Sequence, residues 1–153
     1  MNNKELKFKN PRLETINLEL KRYSRYVPTR FNKKKVELDF NFEVYMKSDK
    51  LIEFFVHIQY GYKIKKNELF PCYHSDHILS IELEKDNKQR KFETQFIAHL
   101  LGTGIVMIKG YFDTITFGHE INKIPLPVFS PLEMINTKYE KEIKNGVIKL
   151  LKR

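Results

Sequence analysis

The sequence predicts an α+β fold: a four-stranded antiparallel sheet followed by two or three helices packed on one side of it. Three observations carry this. Apolar residues alternate strictly from Val36 to Ile64, the apolar period lengthens to helical spacing after residue 90, and Ser130-Pro131-Leu132-Glu133 has the composition of a helix start.

The alternation is clearest in Val36, Leu38, Phe40, Phe42, Val44 and Met46, with Glu37, Asp39, Asn41 and Glu43 between them. A period of two places alternate side chains on opposite faces, so this is a strand with one face buried. Ser48-Asp49-Lys50 is turn chemistry, after which Ile52, Phe54, Val56, Ile58, Tyr60, Tyr62 and Ile64 continue on one face of a second strand. A long antiparallel hairpin with buried even positions follows. Ile16, Leu18 and Leu20 predict a shorter strand before it, and Leu79, Ile81 and Leu83 a fourth strand that ends at Asp86-Asn87. Lys33-Lys34-Lys35 reads as a solvated turn leading into the hairpin. Leu51 and Phe55 sit on the otherwise polar face of the second strand, which implies that this face is partly covered as well.

Phe92, Phe96, Ile97, Leu100 and Leu101 have helical spacing, although Arg90, Phe92, Thr94 and Phe96 also fit a returning strand. Gly102-Thr103-Gly104 is expected to interrupt this helix, with a second helix carrying Ile105, Ile108, Phe112 and Ile115 and ending at Gly118. Ile124 to Phe129 contains Pro125 and Pro127, which favour an extended apolar crossing. Ser130 then stands as a capping serine, Pro131 as the first helical residue and Glu133 in the first turn. Leu132, Ile135, Tyr139, Ile143 and Leu150 can share a stripe of that last helix, with Asn145-Gly146 as a point of kinking or fraying.

At 153 residues, 41% hydrophobic and 31% charged, the chain is expected to fold as one domain, residues 1–153. It shows neither a leader pattern nor the roughly 18 uncharged residues of a membrane helix. A single cysteine, Cys72, excludes an intrachain disulfide, and a reducing cytoplasmic location is expected. The net charge of +9 is uneven. Residues 1–35 carry 11 Lys/Arg against 3 acids and residues 138–153 carry 6 against 2, whereas the middle has 11 against 14. Basic ends attract anionic partners without selecting one.

Catalytic patterns are absent: there is no glycine-rich phosphate loop, no HExxH and no GxSxG. Cys72 lacks the helix start or strained elbow that would activate a thiol, and Glu82, Glu84, Asp86 and Glu93 read as solvated carboxylates, so no enzyme is expected. Cys72-Tyr73-His74-Ser75-Asp76-His77 is the densest set of metal-ligand types, and His74 with His77 could reach one ion if the segment curled. Zinc needs three or four convergent ligands, so the segment is read as a polar loop, with no metal and no cofactor.

Ile97-Ala98-His99-Leu100-Leu101-Gly102, then Gly104-Ile105-Val106-Met107-Ile108 and later Leu126-Pro127-Val128-Phe129, resemble the second half of the SecB family of export chaperones. The preceding four antiparallel strands agree with that family, and the resemblance spans residues 8–145. The family's Phe-Pro-Tyr-x-Arg stretch is Met107-Ile108-Lys109-Gly110-Tyr111 here, as in a divergent branch. The resemblance implies a homotetramer that holds unfolded client polypeptides in apolar grooves between sheet and helices, without nucleotide or metal. Groove positions matching the family are Phe54, Ile105, Tyr111, Phe112, Leu126 and Phe129, for each of which plain core burial is the alternative. It further implies docking of the SecA motor on the acidic sheet face, where Glu37, Asp39, Glu43 and Glu53 stand.

The competing reading is a basic nucleic-acid-binding domain using Lys4, Lys7, Lys9, Arg12, Lys21, Arg22, Arg25 and Arg30 on phosphates. Tyr23, Tyr26, Tyr45 and Phe55 lie off the main apolar faces and would either stack bases or cover a subunit interface. Steep loss of affinity with salt marks phosphate binding, whereas apolar client binding persists.

Overall fold

The computed structural model describes residues 6–20, 33–66, 68–124 and 126–153. Four strands, β1 (Arg12–Leu20), β2 (Val36–Ser48), β3 (Leu51–Lys65) and β4 (Glu68–Glu82), form an antiparallel sheet in the order β1-β4-β3-β2. Then come β5 (Lys91–Glu93), the long helix α1 (Thr94–Ile115), the short helix α2 (Pro131–Lys138), β6 (Ile143–Lys144) and β7 (Val147–Lys149). The last three strands make a small second sheet in the order β5-β7-β6. The architecture is α+β, with the four-stranded antiparallel sheet that the alternation predicts.

The β2–β3 hairpin turns at Asp49-Lys50 and pairs Val44 with Phe54 and Val36 with Tyr62. Cross-strand partners share a face, so one register decides every side chain. Even positions from Phe42 to Met46 and from Ile52 to Tyr62 are buried; the side chain of Ile64 lies outside the described ones. Lys34 and Lys35 are exposed in a short 3-10 turn before β2. In β4 the odd residues Tyr73, Ser75, His77, Leu79 and Ile81 take the core face. An irregularity between Thr15 and Asn17 of β1 resets its register, so Leu13 and Thr15 before it, and Leu18 and Leu20 after it, meet core-side partners.

α1 crosses the core face as one helix, against the expected break at residues 102–104. Helical glycine costs roughly 1 kcal/mol relative to alanine, and here both glycines are needed for close approach. A Cβ at Gly104 would stand 2.5 Å from Leu79 Cδ2, and one at Gly102 would stand 3.3 Å from Pro131 Cγ. Ile97, Leu101, Gly104, Ile108 and Phe112 form the buried stripe. Phe112 stacks on Tyr60 with centroids 5.3 Å apart and meets Tyr73 edge-on at 5.0 Å.

The C-terminal stretch is the second correction. α2 does begin at Pro131, but the Ser130 side chain makes no capping hydrogen bond, and the helix ends at Lys138. Ile143 and Leu150 belong instead to a hairpin region, because Asn145 and Gly146 both adopt positive φ, +53° and +72°. Two consecutive left-handed residues make a type I′ turn, which joins strands with a two-residue loop and suits Asn-Gly. The returning chain pairs β7 with β5 and runs beside the free edge of β2, where Met46 N donates to Leu151 O at 2.8 Å.

The glycine contacts predict two substitutions of opposite sign. Gly104→Ala costs about 1–2 kcal/mol, since overpacking against Leu79 exceeds the gain in helix propensity. Gly110, also inside α1, has open space where a Cβ would project. Gly110→Ala therefore stabilises by about 0.5–1 kcal/mol. Urea midpoints of the two variants check this, and stabilisation by both would contradict the close approach.

Candidate functional site

Two features stand out on the surface. The first is an apolar groove of about 880 Å³ between α1 and the segment that follows a 3-10 turn at Glu120–Lys123. Ala98, Gly102, Ile105 and Val106 form one wall, and Leu126, Pro127, Val128, Phe129 and Leu132 the other. Gly102 lets Pro131 approach α1, while the crossing stays without helix or strand, with Leu126 turned into the core and Val128 into solvent. At Val128 and Phe129 it meets a second depression of about 540 Å³ whose other wall is Phe40 and Phe42 of β2. Phe40 and Phe129 are in ring contact at 4.5 Å. Val106 and Val128 are strongly exposed, an uncommon placement for aliphatic side chains grouped on one rim.

Of the groove positions expected from sequence, Ile105, Leu126 and Phe129 line this groove. Leu126 is itself 6% exposed and belongs also to the core. Phe54 of β3 and Phe112 of α1 are fully buried in the core between sheet and helix, and Tyr111 packs edge-on against His77 at 5.4 Å. None of these three lines the groove. Pro125 lies outside the described residues. Val106, Val128 and Leu132 also line it but were not among the expected groove positions, because exposure of an aliphatic residue leaves no mark in periodicity.

The second feature is on the opposite, free face of the sheet. Residues 72–77, expected as a loop, lie within β4, and the pleat separates their side chains. His77 points into the core while His74 and Asp76 point out, so His74 and His77 cannot share an ion. Asp76 stands opposite His57 of β3 and Asn17 of β1. Its Oδ1 accepts a hydrogen bond from His57 Nδ1 at 2.6 Å, and its Oδ2 accepts from Asn17 Nδ2 at 3.0 Å and His74 Nε2 at 3.1 Å. Burial alone would raise the Asp76 carboxyl, but the hydrogen bonds from His57, Asn17 and His74 outweigh it and hold the group below its usual value.

The acids expected to dock a motor share this face. Glu37 is 3.6 Å from Lys63 Nζ, and Glu43 is 2.6 Å from Arg153 Nη1, whose guanidinium also lies over Tyr45. Glu53 interacts with the Tyr45 hydroxyl, and Asp39 is exposed. Phe55 is half-buried beside them, as its position on the polar face implied. Among the phosphate-binding candidates, Lys4, Lys21, Arg22, Arg25 and Arg30 lie outside the described residues, as do Tyr23 and Tyr26. Lys9 is paired with Glu82 at 3.0 Å, and Lys7 and Arg12 are exposed.

Two buried groups bear on chemistry. Burial pushes the Cys72 thiol up to about 11, so it is not a thiolate at neutral pH. His77 is buried between Thr15 Oγ1 at 3.0 Å and Ser75 Oγ at 2.9 Å. Burial pushes its pKa down to about 4, although the Asp76 carboxylate acts in the opposite sense.

The sign of its pH effect follows. Unfolded, the ring titrates near 6.5, so below that pH the unfolded chain takes up a proton that the folded one refuses. The folded state is therefore at full stability above about pH 6.5 and loses up to about 3 kcal/mol as pH falls towards 4. Asp76, with its lowered pKa, adds a loss only below about pH 4. The urea midpoint should fall between pH 7 and pH 4.5, and His77→Gln should flatten that slope; equal slopes in both proteins would contradict it.

Among the described residues, no helix is long and apolar enough to cross a membrane. No family model matches this chain, and no curated protein matches it significantly.

Proposed function

We propose that this protein is a molecular chaperone of the holdase type, which binds extended, non-native polypeptide in the groove between α1 and residues 126–132. One observation carries the reading: an apolar groove of about 880 Å³ that runs at Phe129 into a second depression of about 540 Å³. A trench with an exposed aliphatic rim suits side chains presented by an unfolded segment, and burying them is favourable without sequence specificity. Lys109 on the first groove and Lys138 on the second supply cations for acidic clients. The SecB resemblance points the same way and brings with it a cytoplasmic homotetramer active in protein export. Support for self-association comes from β1, an edge strand with Ile16 and Leu18 exposed. In this reading the acidic face of Glu37, Asp39, Glu43 and Glu53 docks a SecA-like motor, which would compete with Lys63 and Arg153 for those carboxylates.

The test uses rim residues, whose removal leaves the core intact. The chain has no tryptophan, so the fluorescence of a tryptophan-bearing unfolded client reports binding without background. Val106→Ser with Val128→Ser should weaken that binding at least roughly tenfold, since each buried aliphatic is worth about 1.5–3 kcal/mol. The unfolding free energy should stay within about 0.5 kcal/mol of the parent. Unchanged client affinity in a stable double variant would rule this groove out. Raised salt should leave client affinity largely intact, whereas a steep decline would favour the phosphate-binding alternative.

A further inference from the structure

We propose that His57, His74 and Asp76 form a divalent transition-metal site, of the zinc type, on the free face of the sheet. Each residue offers one ligand atom, and these atoms all lie within 4.8 Å of one another. Tetrahedral zinc with bonds of about 2.0–2.1 Å needs ligand atoms about 3.3 Å apart, which small side-chain rotations would supply here. The scaffold is rigid: His57 and Asp76 are direct partners in the β3–β4 ladder, and His74 is two residues from Asp76 on the same face. Access is open, since the His57 and His74 side chains are 25% and 31% exposed, whereas Asp76 at 10% is held in place.

Three further observations favour an ion over a plain hydrogen-bond cluster. Asn17 donates to Asp76 Oδ2 from the neighbouring strand, the kind of outer contact that orients a metal-binding carboxylate. In the sheet register, Glu19 stands opposite His74, so a further carboxylate is carried beside the site by the neighbouring strand. Both imidazoles direct a nitrogen at one carboxylate, which makes each the donor in the metal-free form. Zinc takes the place of those two hydrogens. Each neutral ring carries its proton on the other nitrogen instead, so the exchange needs no change in ring charge. Two imidazoles and one carboxylate suit zinc, cobalt(II) or nickel(II), with an exchangeable water in the remaining position. The site stands on this geometry alone and is independent of the groove and of client binding.

Titration of the whole chain with zinc chloride by calorimetry should give one saturable site. His57→Gln and His74→Gln should each weaken it at least tenfold, with both together abolishing it. His99→Gln, on the exposed side of α1, should leave it unchanged. Cobalt(II) gives a visible absorption band set by its ligands, which the two substitutions should remove and which a purely structural role would not produce. In the unaltered protein, imidazole NMR resonances of two of the five histidines should respond to zinc, so the assignment does not depend on any variant folding. Absence of saturable binding at roughly 100 µM zinc, equal affinity in the doubly substituted protein, or a response confined to other histidines would each overturn the site.

Discussion

The contact between Gly104 of α1 and Leu79 of β4 sets the distance between helix and sheet, and the remaining structure is arranged around it. With no Cβ at that point the helix settles onto the sheet, and Ile97, Leu101, Ile108 and Phe112 reach the buried residues of β3 and β4. Each fully buried large apolar side chain contributes about 1.5–3 kcal/mol, and a domain's net stability is only about 5–15 kcal/mol, so this layer outweighs any surface pairing. The same helix then offers its other side to Pro131 and residues 126–132. Groove and core thus share one rigid wall.

A sheet whose outer strand is thirteen residues long risks pairing with foreign strands. Part of the β2 edge is covered from within the chain. Val44 N donates to the Tyr139 hydroxyl at 2.9 Å, Met46 N to Leu151 O at 2.8 Å, and Arg153 N to Met46 O at 2.9 Å. The type I′ turn at Asn145-Gly146 makes this possible by returning the chain, and Gly146 O accepts the backbone N–H of Thr94 at 2.9 Å. One turn therefore covers a sheet edge and receives an otherwise unpaired amide at the start of α1.

Adjacent residues of β4 show how sharply the pleat divides environments. His77 is enclosed, neutral and satisfied by two hydroxyls, while Asp76 next to it is ionised and holds two imidazoles and an amide on the opposite face. Apolar burial on one face leaves the other free to collect polar groups from three strands.

Local patterns determined a good part of this by themselves. Period-two alternation in residues 36–64 fixed the hairpin and its buried face, because a register slip of one residue would expose the whole apolar set. The start of α2 at Pro131 was legible, since proline tolerates only the first helical turn. Helix continuity through Gly102 and Gly104 was not, because tertiary packing compensates a local cost that sequence alone records as a break. Asn145-Gly146 carried a hairpin signal that an apparent helical stripe from Leu132 to Leu150 obscured. The groove needed α1, α2 and the proline crossing to meet, and the metal site needed residues 57 and 76, nineteen apart in the chain, to fall opposite one another. Such pairings depend on long-range register, which periodicity within a single strand cannot encode; only the assembled sheet decided them.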